Sequence, residues 1–158
     1  MPRFRAVHAG EQMIDIQGKP ATNREAVARG RVRMSKPAIE ALESGRLPKG
    51  DALACARVAG ILAAKRTPDL IPLCHPISIS HVGIAFEVSG ERCEVEIEAT
   101  ARAHAPTGVE MEALTAVAVA ALTIHDMCKA IDPSAEITQI RVLRKSGGKS
   151  GTWERGES

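Results

Sequence analysis

Five short stretches carry side chains suited to acid–base or phosphate chemistry: Lys49 in PKGD, Cys74 and His75 in LIPLCHP, Glu110 and Glu112 in GVEME, His125, Asp126 and Lys129 in HDMCK, and Lys145 in KSGGKSG. In LIPLCHP a thiol and an imidazole adjoin between Pro72 and Pro76. Each proline fixes its own φ and pushes the preceding residue toward extended geometry, so Ile71 and His75 are both restrained. A buried turn, a metal site and a pocket wall all fit that description. Asp126 and Lys129 are three apart and share a helix face. A lone pair of this kind is ordinarily a solvated ion pair. Here the preceding residues ALTAVAVAALTI are apolar, so the pair is expected to face a cleft.

Thr107-Gly-Val-Glu110 fits a capping box, which accounts for Glu110 structurally. Glu112 has no such role, although a carboxylate near a helix N-terminus is mildly favourable. Glu112 and Asp126 are 14 residues apart. At about 1.5 Å per residue that is roughly 21 Å on nearly the same face. One small-molecule site can hardly reach both, so a site that uses both is expected to be shared by two subunits.

KSGGKSG resembles the end of a phosphate-binding P-loop, but Leu143 stands where the first glycine belongs and no helix follows, so that reading is rejected. What remains is a loop with Lys145, Lys149 and free backbone N–H groups, which suits phosphate. Together with Lys49, Arg24, Arg29, Arg31 and Arg33 it suits a polyphosphate ligand; scattered solubilising charge looks similar. Cys74, His75, His125 and Cys128 are conceivable metal ligands. Adjacent Cys74 and His75 rarely serve one tetrahedral ion, and no C-x-x-C or H-x-x-x-H pair occurs, so no metal site is expected.

The elements that must hold these groups follow from periodicity. MIDI (13–16) reads as a short strand. Residues 26–34 alternate, with Ala26, Ala28, Gly30, Val32 and Met34 on one side and Val27, Arg29, Arg31 and Arg33 on the other, a strand with a basic face. Ser35 caps a helix through PAIEALES that Gly45 ends. A second helix runs from Asp51 to about Lys65; its small apolar residues predict burial on more than one side. TPDLIPLCHP cannot continue it. Segments 77–89 and 92–103 read as a hairpin joined tightly at Gly90-Glu91. A long helix spans about 109–131 and a last strand 137–144. The order implies one α+β domain over 1–158, an antiparallel sheet with helices packed on one face, a flexible N-terminus to about residue 12 and a polar tail from about 146.

The chain has 158 residues, 44% apolar and 25% charged, with net charge +2, which suits one soluble globular domain. Aromatic content of 2% argues against single-stranded nucleic-acid binding, which uses stacking platforms. No signal peptide is evident in MPRFRAVHAG, and the apolar stretch 113–124 is short of the roughly 20 residues of a membrane span. Cys55, Cys74, Cys93 and Cys128 are scattered and read as reduced thiols, hence a cytoplasmic protein.

In combination, KGDALACARVAGILAAKRTPDLIPLCHPI, TGVEMEALTAVAVAALTIHDMCKA and RVLRKSGGKSG closely resemble the MoaC family of cyclic pyranopterin monophosphate synthases, from about Met13 to Gly151. The resemblance implies a ferredoxin-like fold and a homohexamer, a trimer of dimers with sites at the dimer interface. The implied reaction takes (8S)-3′,8-cyclo-7,8-dihydroguanosine 5′-triphosphate to cyclic pyranopterin monophosphate with release of diphosphate, a lyase step of molybdenum-cofactor biosynthesis. Carried over by motif, Asp126, Lys129 and Lys49 are the catalytic residues, while Leu73, Cys74, His75, Glu110, Met111, Glu112 and Lys145 bind substrate; Asp15 and Arg24 are second-tier. LIPLCHP then reads as a stiff wall against the substrate. Asp126 and Lys129 become the acid–base pair, Glu112 accepts from the guanine edge, and Lys49 and Lys145 hold phosphate. The implied partners are this small molecule and further copies of the chain, with no nucleic acid and no membrane. No resident cofactor is implied, and the sequence leaves open whether Mg²⁺ accompanies the triphosphate. The chain departs from the family at His125, commonly tyrosine, and at Pro68, tryptophan in some members. A non-catalytic nucleotide carrier is the alternative; it would release no diphosphate.

Overall fold

A computed structural model describes residues 10–156. Five strands form one antiparallel sheet, in the order β2-β3-β1-β4-β5, where β1 is Thr22–Arg33, β2 Ile79–Ser89, β3 Glu94–Ala105, β4 Glu136–Ser146 and β5 Trp153–Glu154. The helices are α1 (Lys36–Glu43), α2 (Ala52–Lys65), α3 (Thr67–Leu70) and α4 (Glu110–Cys128). α2 packs on α4, and α4 lies along β1, β3 and β4. This is the α+β arrangement expected from the order of elements, and it is consistent with the ferredoxin-like fold that the resemblance implies.

The alternation in β1 is as read. Ala26, Ala28, Gly30 and Val32 are buried, and Arg29 and Arg31 lie on the other face. There they meet β3, where Arg29 pairs with Glu98 at 2.7 Å and Arg31 with Glu96 at 2.9 Å. The basic face is thus one half of a cross-strand charge ladder. The inner face of the sheet is largely alanine, which lets α4 approach closely. A Cβ on Gly30 would meet Val117 Cγ1 at 2.7 Å.

Several local expectations are corrected. Residues 13–16 form no strand; they run without a strand partner into a turn closed by Lys19 N–H donating to the Ile16 carbonyl at 3.1 Å. β1 begins four residues earlier than read, because Thr22–Glu25 pair with Ala105–Arg102. Ser35 holds the N-cap position of α1, but its side chain makes no cap bond; its N–H instead donates to Asp132 Oδ2 at 2.6 Å. The hairpin turn takes Gly90–Cys93, with Cys93 at φ 52, rather than two residues. Thr67–Leu70 does add a helical turn, admitted because Pro68 stands in its first positions. The polar tail contributes β5, with Arg144 and Lys145 opposite Glu154 and Trp153.

α2 is not covered on more than one side. Asp51 caps it through the Ala54 N–H at 3.0 Å, and Ala52, Ala56, Gly60, Ala63 and Ala64 are buried, but Val58 and Leu62 are 59% and 52% exposed. α4 runs 19 residues with mean hydropathy 1.3, so it is long and apolar enough to cross a bilayer by those measures, unlike the shorter stretch read from the sequence. Its apolar side chains serve the core: Ala113, Ala116, Val117, Ala120, Ala121 and Ile124 are fully buried. The expected flexible N-terminus falls largely on residues 1–9, outside the described residues; 10–12 are exposed.

Gly60 of α2 packs closely against α4. A Cβ there would meet the Ala116 carbonyl oxygen at 2.8 Å and Ala120 Cβ at 3.4 Å, and would collide with Ile84 Cδ1. Alanine gains about 1 kcal/mol of helix propensity over glycine, but overpacking typically costs about 1–3 kcal/mol. Gly60→Ala is expected to lower the unfolding free energy by about 1 kcal/mol in urea titration. An increase would mean that the helices separate without cost.

Candidate functional site

The side chains singled out from the sequence gather at the two ends of α4. At its C-terminal end Asp126 lies between two ammonium groups. Lys49 Nζ donates to Oδ2 at 2.7 Å and Lys129 Nζ to Oδ1 at 2.7 Å. Lys129 arrives by helical spacing. Lys49 arrives because the turn ahead of α2, with Gly50 at φ 99, sits beside the end of α4. The three side chains are about half exposed. Hydrogen bonds from Lys129 and then Lys49 hold the Asp126 carboxyl down at about 2. His125, next in sequence, is half-buried, and Cys128 is buried with its thiol pushed up by desolvation.

At the N-terminal end the LCH wall closes a cleft of about 450 Å³ lined by Leu73, Cys74, His75, Glu110 and Met111. His75 Nε2 donates to the Ile14 carbonyl at 2.7 Å, which fixes that nitrogen as the protonated one. Glu112 is fully buried behind the wall. The Cys74 thiol donates to its Oε1 at 3.9 Å, and Oε2 has no partner among the described residues. Burial raises the Glu112 carboxyl above its usual range, and the nearby Glu110 charge adds to this. Burial and the Glu112 charge likewise raise Cys74. The Cys74 thiol thus lies at the cleft wall against Glu112, where burial disfavours its thiolate.

Glu110 departs from its expected role. α4 starts at Glu110 with Val109 as N-cap and no side-chain cap bond, so the capping box does not form. Glu110 Oε1 pairs instead with Lys145 Nζ at 3.1 Å. A full cation outcompetes a backbone N–H for the carboxylate. Lys145 is the next-to-last residue of β4, and the loop beyond the strand turns through Gly147 and Gly148, with no helix following. Lys149 is exposed and Asp15 only braces a turn, accepting from the Gln17 N–H at 2.8 Å.

The structure also lines the cleft with Gln12, Ile14, Ile16 and Lys19, which the sequence reading leaves out. The signal is present in Gly18-Lys19-Pro20, a turn that carries a cation, but 13–16 alternates like a strand and masks it. A larger hollow of about 590 Å³ lies around Arg24, Glu25, Arg102 and Arg144; of the residues carried over from the resemblance it includes only Arg24. Among the described residues no group of three or more His, Cys, Asp or Glu is gathered as metal ligands.

The sequence profile of the MoaC family matches residues 13–148. Proteins named cyclic pyranopterin monophosphate synthase are similar over most of the chain. The one from Roseiflexus sp. is 59% identical over 140 residues, 89% of each chain. That from Chloroflexus aurantiacus is 56% identical over 144 residues, 91% of this chain and 88% of the relative. That from Streptomyces coelicolor is 54% identical, covering 98% and 92%.

The two acids at opposite ends of α4 should titrate in opposite senses. Asp126, depressed, keeps its bridge to both lysines as pH falls, losing it only through about pH 2. A carboxylate NMR titration is expected to show no Asp126 transition above about pH 4, and Lys129→Ala should move its midpoint upward. Glu112, raised, disfavours the folded state when ionised, so this penalty grows as pH rises through its elevated range. As pH rises above the ordinary glutamate value of 4.5, the wild type should lose more stability than Glu112→Gln; parallel pH profiles in urea unfolding would contradict the assignment.

Proposed function

The chain belongs to the MoaC family, and from that premise we propose that it converts (8S)-3′,8-cyclo-7,8-dihydroguanosine 5′-triphosphate to cyclic pyranopterin monophosphate with release of diphosphate. It is a cyclising lyase of molybdenum-cofactor biosynthesis, and the carrier reading is not favoured. The observation that carries the residue roles is Asp126 held between Lys49 and Lys129.

In that resting arrangement Asp126 is too weak a base to take a proton near neutral pH. An incoming triphosphate competes for the two ammonium groups. As they turn to phosphate, Asp126 loses the bonds that depress it and becomes a stronger base, so substrate itself switches on the proton acceptor. Lys129 then serves as the acid partner, and Lys49 and Lys145 stabilise the departing diphosphate. At the other cluster the partnerless oxygen of Glu112, buried behind the cleft that Leu73, Cys74, His75 and Met111 line, accepts from the guanine N–H donors once they reach past that wall. The reading requires no resident cofactor; Mg²⁺ enters, where it does, as counter-ion to the triphosphate. A cytoplasmic location accords with cysteines that are all free.

Both clusters serve one substrate only if two subunits share it. Met111, Leu114, Ala118, Leu122 and Asp126 fall on one accessible stripe of α4, and Leu122 is 59% exposed. Two such helices paired antiparallel across this stripe set the first turn of one beside Asp126 of the other, at a usual interaxial distance of about 8–10 Å. The small Ala118 at the middle of the stripe lets the two helices come close there. The homodimer follows from this pairing, and the family reading assembles such dimers into a hexamer.

Purified protein given the cyclic triphosphate is expected to release diphosphate and form the pyranopterin, and Asp126→Asn or Lys129→Ala to lower kcat by at least about 100-fold. Turnover at the wild-type rate in both variants would remove them from the mechanism. Leu122→Glu is expected to shift the sedimentation profile toward monomer and lower activity in parallel; a monomer with full activity would exclude a shared site.

A further inference from the structure

Arg24 leaves β1 on the same side as Ala26 and Ala28, toward the helices. Its guanidinium finds three carbonyl acceptors on two segments far apart in sequence. Nε donates to Ala105 at 3.3 Å, Nη2 to Pro106 at 3.3 Å and Nη1 to Gly147 at 3.4 Å. A planar fork of five donors can serve three such acceptors; the point charge of an ammonium cannot hold the same geometry. Ala105 and Pro106 lead into Thr107 and Gly108 at the cleft, and Gly147 follows Lys145 by two residues.

The backbone is fitted to this side chain. Gly147 and Gly148 have φ of 100 and 74, in the left-handed region that favours glycine. A Cβ on Gly148 would collide with the Arg24 guanidinium, and one on Gly147 with the Asn23 carbonyl oxygen. The two glycines thus supply both the turn and the room for Arg24. The Lys145–Glu110 pair, at 3.1 Å, spans the same two segments.

We propose that Arg24 is a positioning residue for the reaction: it ties the loop after β4 to the connection into α4, and thereby fixes where Lys145 and Glu110 meet the substrate, without contacting the substrate itself. The kinetic half of this inference rests on the lyase reading above. The tether does not, and hydrogen exchange tests it in the absence of turnover.

Three full-length variants make the test: Arg24→Gln, Gly148→Ala and the double variant. Amide hydrogen exchange over residues 145–151 is expected to speed up at least about tenfold in both single variants, with the core of α4 unchanged. With the cyclic triphosphate, both should lose about 10- to 100-fold in kcat/KM, the scale of a misplaced catalytic group. The double variant should be no worse than either single one, because both break one tether. Exchange at the wild-type rate in Arg24→Gln overturns the tether. Faster exchange with additive kinetic losses, or a defect in Arg24→Gln with Gly148→Ala fully active, overturns the positioning role and makes Arg24 a direct contact. If Arg24→Gln fails to fold, Gly148→Ala alone decides: unchanged exchange overturns the proposal. If the wild type shows no turnover, the lyase reading fails while exchange still reports on the tether.

Discussion

The rise of an α-helix governs this molecule. α4 spans 19 residues with its apolar side chains buried against the sheet and α2, so it can neither bend nor slide without opening the core. Its two ends carry the two polar clusters, and their separation of roughly 21 Å is set by geometry rather than by side-chain choice. The rest of the fold is arranged to hold this rod close. β1 and β3 present alanines to it, and Gly30 and Gly60 give way where Val117 and the α4 backbone come nearest. The price of so small-residued a core is modest burial per residue, and the charge ladder on the far face of the sheet adds cross-strand pairing there.

The electrostatics of the two ends are opposite, and the difference follows from solvent and partners. Asp126 is exposed and bridged by two lysines, which favours its charge; Glu112 is buried with one oxygen unpartnered, which disfavours it. On the proposed reading the first end holds the triphosphate and the second accepts from the purine edge. The end of β4 adds Lys145 to the accepting end. There the Arg24 guanidinium and the paired glycines join it to the start of α4.

Much of this is legible in the sequence, and the failures have physical causes. The alternation of β1 and the apolar run of α4 survive because each is fixed by burial on a known face. The motif residues fall at the two helix ends as counted. Glu110 is misread because a capping box is a local pattern, and Lys145 is 35 residues away in sequence yet adjacent in space. The stretch at 13–16 alternates like a strand but finds no edge to pair with; the Ile14 carbonyl goes to His75 instead. Likewise, α2 looks like a doubly buried helix because its free face, with Val58 and Leu62, is as apolar as its core face. Composition alone does not separate a face buried within the chain from one left exposed.

On the proposed function, one active site takes the first turn of α4 from one subunit and the last turn from another. Subunit mixing tests it most directly. Glu112→Gln and Lys129→Ala proteins, each inactive alone, are dissociated, combined in equal amounts and reassembled. If sites are shared, half of the dimers are mixed and each holds one intact site, so activity recovers to about a quarter of the wild type. If each subunit carries its own complete site, the mixture stays as inactive as its components.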